Sequence, residues 1–149
     1  MSENKVKIIK NKKASYNFEF IEKYTSGIVL TGSEVKSIRS SSVNITDTFC
    51  YIKNNEIWVK NLIITRYKMD HPSVIHDENR DKKLLLKKDE IKKILKQIKD
   101  DKGKSIIITN IIVGRRIKIE IASARGKKEY DKRSDIKNRD LERDLKRSL

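Results

Sequence analysis

The chain has 149 residues, of which 36% are hydrophobic and 38% are charged, and its formal net charge is +15. That length fits one compact domain with a tail and excludes two separate cores. The charge predicts a polyanionic partner, because each cation placed on a phosphate releases condensed counterions, and basic stretches almost without aromatic residues argue against a membrane surface. A single cysteine, Cys50, excludes an intrachain disulfide, and the polar N-terminus has no apolar leader segment, so we expect a soluble cytoplasmic protein.

The N-terminal third of the chain predicts an arm, two strands and a short helix. Residues 1–13 are polar and rich in lysine, which is typical of a flexible arm. Apolar and polar residues alternate over 16–21, which predicts a half-buried strand, and 27–30 is a second apolar run. Ser33 is expected to cap a short helix that contains Ile38.

The middle of the chain predicts a hairpin followed by a long loop. Two β-rich runs, 45–53 and 56–64, are separated by Asn54-Asn55, and asparagine tolerates the positive φ of a tight turn. Residues 68–82 hold the only proline and both histidines. A loop of that length is usually functional or disordered.

A helix and two further strands complete the predicted domain. Apolar residues at helical spacing predict a helix over 89–102, with Gly103 as its C′ residue. Strands follow at about 105–112 and 116–122. Five or six strands in so short a chain favour a small closed barrel of the oligonucleotide-binding type, because closure removes exposed edges. We therefore divide the chain into an arm (1–13), a barrel (14–124) and a basic tail (125–149).

Positive charge is concentrated in three parts of the sequence. The arm carries five basic residues and one acidic residue, residues 80–104 carry eleven and five, and the tail carries ten and six. On a helical wheel the tail places its cations on one face and leucines on the other. Two interpretations remain open: an amphipathic helix docked on its own barrel, or a segment that folds on a phosphate-lined surface.

Four segments resemble one protein family, in family order and over nearly the whole chain. Gly32-Ser-Glu-Val-Lys-Ser-Ile-Arg39, followed by Val43-Asn44 and Asp47, resembles the G-T-E-V-K-S-L-R…A-N…D signature of SmpB. Asn11-Lys-Lys-Ala14 resembles its N-K-R-A entry, Lys83-Leu-Leu-Leu-Lys-Lys-Asp-Glu-Ile91 its R-K-L-L-L-x-K-x-E-I block, and Ala124-Arg-Gly-Lys-Lys-Glu-Tyr-Asp-Lys-Arg133 its A-K-G-K-K-x-x-D-K-R run.

The resemblance implies a fold and a function. The family fold is a six-stranded oligonucleotide-binding barrel with two or three short helices and a C-terminal tail that is disordered or helical. The family binds the transfer-RNA-like domain of transfer-messenger RNA and brings it to the empty A site of stalled ribosomes. There the tail occupies the vacant messenger channel, and the nascent peptide is tagged for proteolysis. The expected partners are that RNA, the ribosome through its small-subunit RNA, and elongation factor Tu through the RNA; a monomer without cofactor or metal is expected.

The resemblance also implies two sets of site residues. The RNA-binding set is Asn11, Lys12, Lys13, Tyr16, Glu34, Lys36, Arg39, Arg80, Lys83, Leu85 and Lys87. The set for the decoding centre and messenger channel is Gly126, Lys127, Lys128, Asp131, Lys132, Arg133, Ile136, Arg139 and Arg143. Gly126 is expected to act as a hinge between barrel and tail.

Some roles within these sets have more than one interpretation. Glu34 is expected to favour the helix dipole and to brace Lys36 or Arg39, and those two cations share a helical face that can be offered to phosphate. Leu85 is either exposed for packing on bases or part of a buried strand. The alternatives to the SmpB role are a generic single-strand or ribosomal oligonucleotide-binding protein and, more weakly, an RNA-modifying enzyme, for which no nucleophile, base and orienting group occur together.

Overall fold

The computed structural model describes residues 6–101 and 103–127. It contains three helices within those residues: α1 (Lys12–Asn17), α2 (Gly32–Arg39) and α3 (Lys88–Asp100). The strands are β1 (Lys7–Lys10), β2 (Phe18–Ile28), β3 (Val43–Asn44), β4 (Phe49–Lys53), β5 (Glu56–Lys60), β6 (Ile63–Ile64), β7 (Lys82–Leu85), β8 (Lys104–Val113) and β9 (Ile117–Gly126). The prediction of a mainly β fold with two or three short helices is confirmed.

Seven of these strands form one antiparallel sheet in the order β1-β8-β9-β2-β7-β5-β4, and β3 pairs with β6 separately. The expected closure of a six-stranded barrel is wrong for the described residues, since β1 and β4 remain the edges of the sheet. Bulges between Phe20 and Glu22 and between Ile108 and Asn110 curl the long strands, so that β4 packs against β8. No ladder forms between β4 and β8 in the described residues, and β1 pairs with β8 from Asn110 to Val113.

The N-terminal segment is more ordered than the sequence predicts. The expected flexible arm contains β1, which pairs with β8, and the beginning of α1. The strand expected from residue 16 begins at Phe18, because residues 16 and 17 complete α1. Asn11 overrides the strand alternation, since its side-chain Oδ1 caps the helix by accepting a hydrogen bond from Ala14 N at 3.1 Å.

The short helix α2 is confirmed, but its cap is Thr31 and not Ser33. Thr31 Oγ1 accepts from Glu34 N at 3.2 Å, and Glu34 Oε1 accepts from Thr31 N at 2.8 Å. This reciprocal pair is a capping box, which satisfies two backbone donors that a helix start leaves unpaired. Ile38 is fully buried in the core, as its position on the inner face of the helix predicts.

The predicted hairpin is confirmed between β4 and β5. Asn54 and Asn55 have φ of 53° and 60°, which asparagine adopts more readily than most residues. Between Ile64 and Lys82 the chain forms neither helix nor strand, in agreement with the predicted long loop. Here this segment, residues 65–81, is called the long loop.

Helix α3 covers one face of the sheet through its apolar stripe. Ile94 is 1% exposed, and Ile91 and Ile98 pack against the same core. Gly103 is not the left-handed C′ residue expected, because no described glycine has positive φ. The helix ends at Asp100 and Asp101 is its C-cap, whose carboxylate accepts a hydrogen bond from Gly103 N at 2.9 Å.

The core is built mainly from isoleucine. Its fully buried isoleucines come from α2, α3, β5, β6, β8 and β9: Ile38, Ile57, Ile64, Ile94, Ile108, Ile111, Ile119 and Ile121. These β-branched side chains suit a pleated, packed surface. Among the described residues, no helix is long and apolar enough to cross a membrane.

Candidate nucleic-acid interface

The residues expected to contact RNA fall into two groups on the structure. The first group lies on and beside α1, and the second lies where α2, the long loop and β7 meet. In both groups the structure separates side chains that face solvent from side chains that hold the fold together.

In the α1 group, Asn11 is a buried structural residue. It is 4% exposed, and its Nδ2 donates to Ile45 O at 3.1 Å and to Ile108 O at 2.9 Å. Lys12 and Lys13 are exposed on the helix that Asn11 caps. Asn11 therefore positions these cations, and the hydrogen bonds of its side chain are made within the fold.

Beside α1 lies an open pocket of about 150 Å³, which we call the α1 pocket. Its lining comes from α1, the start of β2, the turn before β4 and β8: Asn11, Lys13, Ala14, Asn17, Phe18, Thr46, Asp47, Thr48 and Ile107. Lys13 Nζ lies 2.8 Å from Asp47 Oδ1 at its rim. Tyr16, the expected stacking residue, is half-buried on the same helix and does not line the pocket.

In the second group, Glu34 joins three segments of the chain. It is 2% exposed at the start of α2, and its Oε1 lies 2.5 Å from Arg80 Nη2 of the long loop. Its Oε2 lies 3.9 Å from Lys82 Nζ of β7. Lys82 is fully buried and donates to Leu62 O at 2.7 Å and to Arg80 O at 2.6 Å. Burial lowers the pKa of Lys82, and the opposing charge of Glu34 acts in the other direction.

The expected bracing of Lys36 or Arg39 by Glu34 is wrong. Arg39 donates to the carbonyls of Gly114 and Arg115 in the β8–β9 turn, at 2.9 and 3.0 Å. Lys36 Nζ lies 5.4 Å from the centre of the Tyr67 ring, a cation–π contact. The two cations share a helix but are directed to different partners, because α2 packs between the long loop and that turn.

The structure of β7 decides between the two interpretations of Leu85. Lys82 and Leu84 alternate inward, whereas Lys83 and Leu85 alternate outward, and Leu85 is 51% exposed. Lys83 forms an ion pair with Glu56 of the neighbouring strand. An exposed leucine between two cations, Lys83 and the exposed Lys87, remains available to a partner.

Leu85 is set against Gly27, its partner on β2. A Cβ at Gly27 would lie 3.3 Å from Leu85 Cβ, which is tighter than ordinary contact. The absence of a side chain at this position leaves the leucine exposed beside Val29, which is itself 44% exposed. Together they form a small apolar surface next to Arg80, whose guanidinium reaches Val29 O at 3.5 Å.

The tail set is described only at its first two members. Gly126 is the last residue of β9, where it pairs with Phe18, and its φ is not positive. Lys127 N donates to Asn17 O at 2.8 Å, and Lys127 Nζ donates to Ser15 O at 3.1 Å. The expected sites at Lys128, Asp131, Lys132, Arg133, Ile136, Arg139 and Arg143 lie outside the described residues.

Lys82 is a neighbour of the expected site residues that lies outside the expected set. The available signal is alternation: in a strand, residue 82 shares the face of the buried Leu84, two positions away. Asp47, which belongs to the signature segment, is a second neighbour outside the expected set.

Within residues 6–101 and 103–127, no group of three His, Cys, Asp or Glu residues is placed to hold a metal ion. Burial raises the pKa of Cys50 to about 12, so its thiol stays protonated near neutral pH.

Comparison with known proteins identifies the family. The family model described as SmpB protein matches residues 8–149. An SsrA-binding protein of Cytophaga hutchinsonii is 48% identical over 142 residues, covering 93% of this chain and 91% of that protein. One from Treponema denticola is 45% identical over 152 residues, covering 100% of this chain and 97% of that protein. A chain from the solved structure described as "tmRNA-SmpB: a journey to the center of the bacterial ribosome" is 32% identical, with a TM-score of 0.67 over 82% of this chain and 85% of its own. The chain belongs to the SmpB family.

Proposed function

We propose that this protein binds transfer-messenger RNA and takes part in trans-translation, the rescue of stalled ribosomes. The observation that carries the proposal is the family match over residues 8–149, which includes both groups of cationic residues and the tail. The name of the relatives, SsrA-binding protein, and the tmRNA–SmpB ribosome structure at 32% identity support the same assignment.

In this role the protein is a non-enzymatic adaptor. Cations spread over a folded surface hold an RNA by its phosphates without regard to base sequence. The exposed Lys12, Lys13 and Lys87 and the apolar Leu85 supply such a surface. We propose that it holds the transfer-RNA-like domain, that the protein acts as a cytoplasmic monomer, and that elongation factor Tu joins it through the RNA.

The tail completes the proposal. Residues 125–149 carry ten basic and six acidic residues, and we propose that they occupy the empty messenger channel after the RNA is brought to the A site. Opposite charges in one segment favour a defined docked arrangement over uniform attraction to phosphate. The tail therefore acts on the ribosome, and the domain acts on the RNA.

A truncation separates these two roles. Ending the chain after Lys127 retains the contacts of Lys127 with α1. We expect the affinity for transfer-messenger RNA, measured by filter binding, to stay within a factor of about three, whereas peptide tagging on stalled ribosomes in a reconstituted translation system is lost. A full-length variant with Lys132→Ala and Arg133→Ala is the matched control for tail length and should impair tagging in the same direction. Parallel loss of affinity and tagging in the truncated chain contradicts the division of roles.

A further inference from the structure

Asp47 stands at the rim of the α1 pocket, and the fold makes little use of it. Its side chain is 71% exposed, and Lys13 Nζ contacts its Oδ1 at 2.8 Å. Its Oδ2 has no hydrogen-bond partner among the described residues. An exposed ion pair of this kind contributes at most about 1 kcal/mol to stability. The contribution of Asp47 to stability is therefore too small to explain why a carboxylate lies in this otherwise basic part of the surface.

The pocket has the size of one planar base. Its volume of about 150 Å³ is well below the range of about 300–1,000 Å³ that is usual for sites of drug-sized ligands. One wall is Phe18, which is half-buried and packs on Ala14, Ile107 and Ala124. Opposite Phe18 on β9 lies Gly126, where an added Cβ would meet nothing within 4 Å. The Phe18 ring is thus held in place by the residues it packs on, and Gly126 places no side chain next to it.

The remaining lining groups are polar. Thr48 is 7% exposed, and its Oγ1 donates to Ile45 O at 2.8 Å, which leaves the oxygen able to accept a further hydrogen bond. Thr46 and Asn17 line the pocket with a hydroxyl and an amide. Together with the Asp47 carboxylate, these groups offer hydrogen-bond donors and acceptors of the kinds that the edge of a nucleobase can use.

We propose that the α1 pocket binds one unstacked guanine base of an RNA ligand. Guanine is the RNA base that presents two adjacent N–H donors, N1–H and the N2 amino group, on its Watson–Crick edge, and a carboxylate accepts both at once. Splayed bases in single-stranded RNA are recognised in this way, by stacking on an aromatic ring and by hydrogen bonds to that edge. Lys13 lines the pocket and the exposed Lys12 precedes it on α1, so both cations are placed to meet the phosphates that adjoin the bound base. The inference deepens the proposed function, on which it rests for the choice of RNA as ligand.

The test compares bases in an otherwise constant RNA. Fluorescence anisotropy measures binding of the full chain to short single-stranded uridine oligomers with one central guanosine, inosine, adenosine or cytidine. We expect the guanosine oligomer to bind about tenfold more tightly than the adenosine oligomer. Inosine lacks the N2 amino group and is expected to fall between them. Equal affinity for all four oligomers would overturn the proposal.

Two variants locate the effect in the pocket. Asp47→Asn removes the carboxylate, and the ratio of guanosine to adenosine affinity is expected to fall near unity; using the ratio cancels the change in overall charge. Thr46→Trp fills the pocket from an exposed position and is expected to lower guanosine binding to the adenosine level. Asp100→Asn makes the same charge change at the exposed end of α3 and should leave the ratio unchanged. A ratio that survives both Asp47→Asn and Thr46→Trp excludes this pocket, and thermal unfolding verifies that each variant is folded.

Failure of the pocket proposal can be distinguished from failure of the proposed function. If the chain binds transfer-messenger RNA tightly but shows no guanine preference, the pocket proposal fails and the proposed function stands. If it shows the preference but does not bind transfer-messenger RNA, the proposed function fails and the pocket proposal stands.

Discussion

Glu34, Arg80 and Lys82 meet where α2 begins beside β7. The carboxylate lies 2.5 Å from Arg80 and 3.9 Å from Lys82, and Lys82 is fully buried. Buried lysines are rare unless they are paired, and here the ammonium also donates to two carbonyls. These residues hold the end of the long loop against the helix, which fixes where Arg80 presents its remaining exposed surface.

Replacing Glu34 with glutamine tests this arrangement. The variant leaves Lys82 as a buried cation without its nearest counter-charge, and we expect it to lower the free energy of unfolding by about 3 kcal/mol. That value is at the lower end of the range for buried pairs, because the Arg80 side chain is 37% exposed. Urea unfolding followed by circular dichroism measures it.

Glu56→Gln is the matched control. It removes the partner of Lys83 in an ion pair whose side chains are 39% and 35% exposed, and it should cost less than about 1 kcal/mol. Equal effects of the two substitutions would contradict a special role for Glu34.

At the scale of elements, α3 is held on the sheet by apolar packing and by one polar cluster. Lys93 forms an ion pair with Glu22 of β2, and Gln97 Nε2 donates to Glu22 Oε2 at 2.6 Å. Tyr24 of the same strand donates to Gln97 Oε1 at 3.4 Å. The bond from Lys93, followed by that from Gln97, lowers the pKa of Glu22 below its ordinary value of 4.5.

The lowered pKa predicts how the docking of α3 depends on pH. The unfolded chain binds the proton more readily than the folded one, so the stabilisation by ionised Glu22 is complete above its ordinary pKa. It is lost as the pH falls through the lower, folded value. We expect Glu22→Gln to reduce the thermal midpoint at neutral pH and the difference from the parent to vanish in acid below that value.

Glu19→Gln serves as the control on the same strand. Glu19 is exposed and forms no ion pair with any described residue, so its substitution should leave the thermal midpoint nearly unchanged at every pH. A difference between parent and Glu22→Gln that stayed constant through the acid range would rule out the ionised carboxylate as its source.

For the whole molecule, the net charge of +15 is divided between cations engaged in the fold and cations left for a partner. Arg39, Arg80 and Lys82 are engaged with carbonyls or carboxylates. Lys12 and Lys87 are exposed and form no ion pair with any described residue. The net charge therefore overstates the number of phosphate contacts that the described domain can make.

Salt dependence measures that number. We expect Lys12→Ala and Lys87→Ala each to reduce, by about one unit, the slope of log K against log salt for the transfer-RNA-like domain. Lys53→Ala, which removes an exposed lysine of β4 outside both groups, should leave the slope unchanged while removing the same charge. If all three variants had the same slope of log K against log salt, binding would depend on overall charge and not on the two groups of expected RNA contacts.

The sequence by itself determined the features that depend on short-range chemistry. Helix α3 follows from its apolar spacing, the β4–β5 turn from Asn54-Asn55, and the exposure of Leu85 is one of two alternatives set by strand alternation. The family could be identified because its motifs are continuous segments. The predicted ends of helices and strands were less accurate. In α1, a single buried asparagine has more influence on the local structure than the alternation of apolar and polar residues.

Only the tertiary structure decided what the individual site residues contact. Asn11 reaches Ile108, Glu34 reaches Arg80, and Arg39 reaches the turn after β8. These partners are far apart in sequence, and periodicity carries no information about such pairs. The same physical reason separates the two classes of cation: a lysine or arginine looks alike in sequence whether it binds a carbonyl of its own fold or remains free to meet a phosphate.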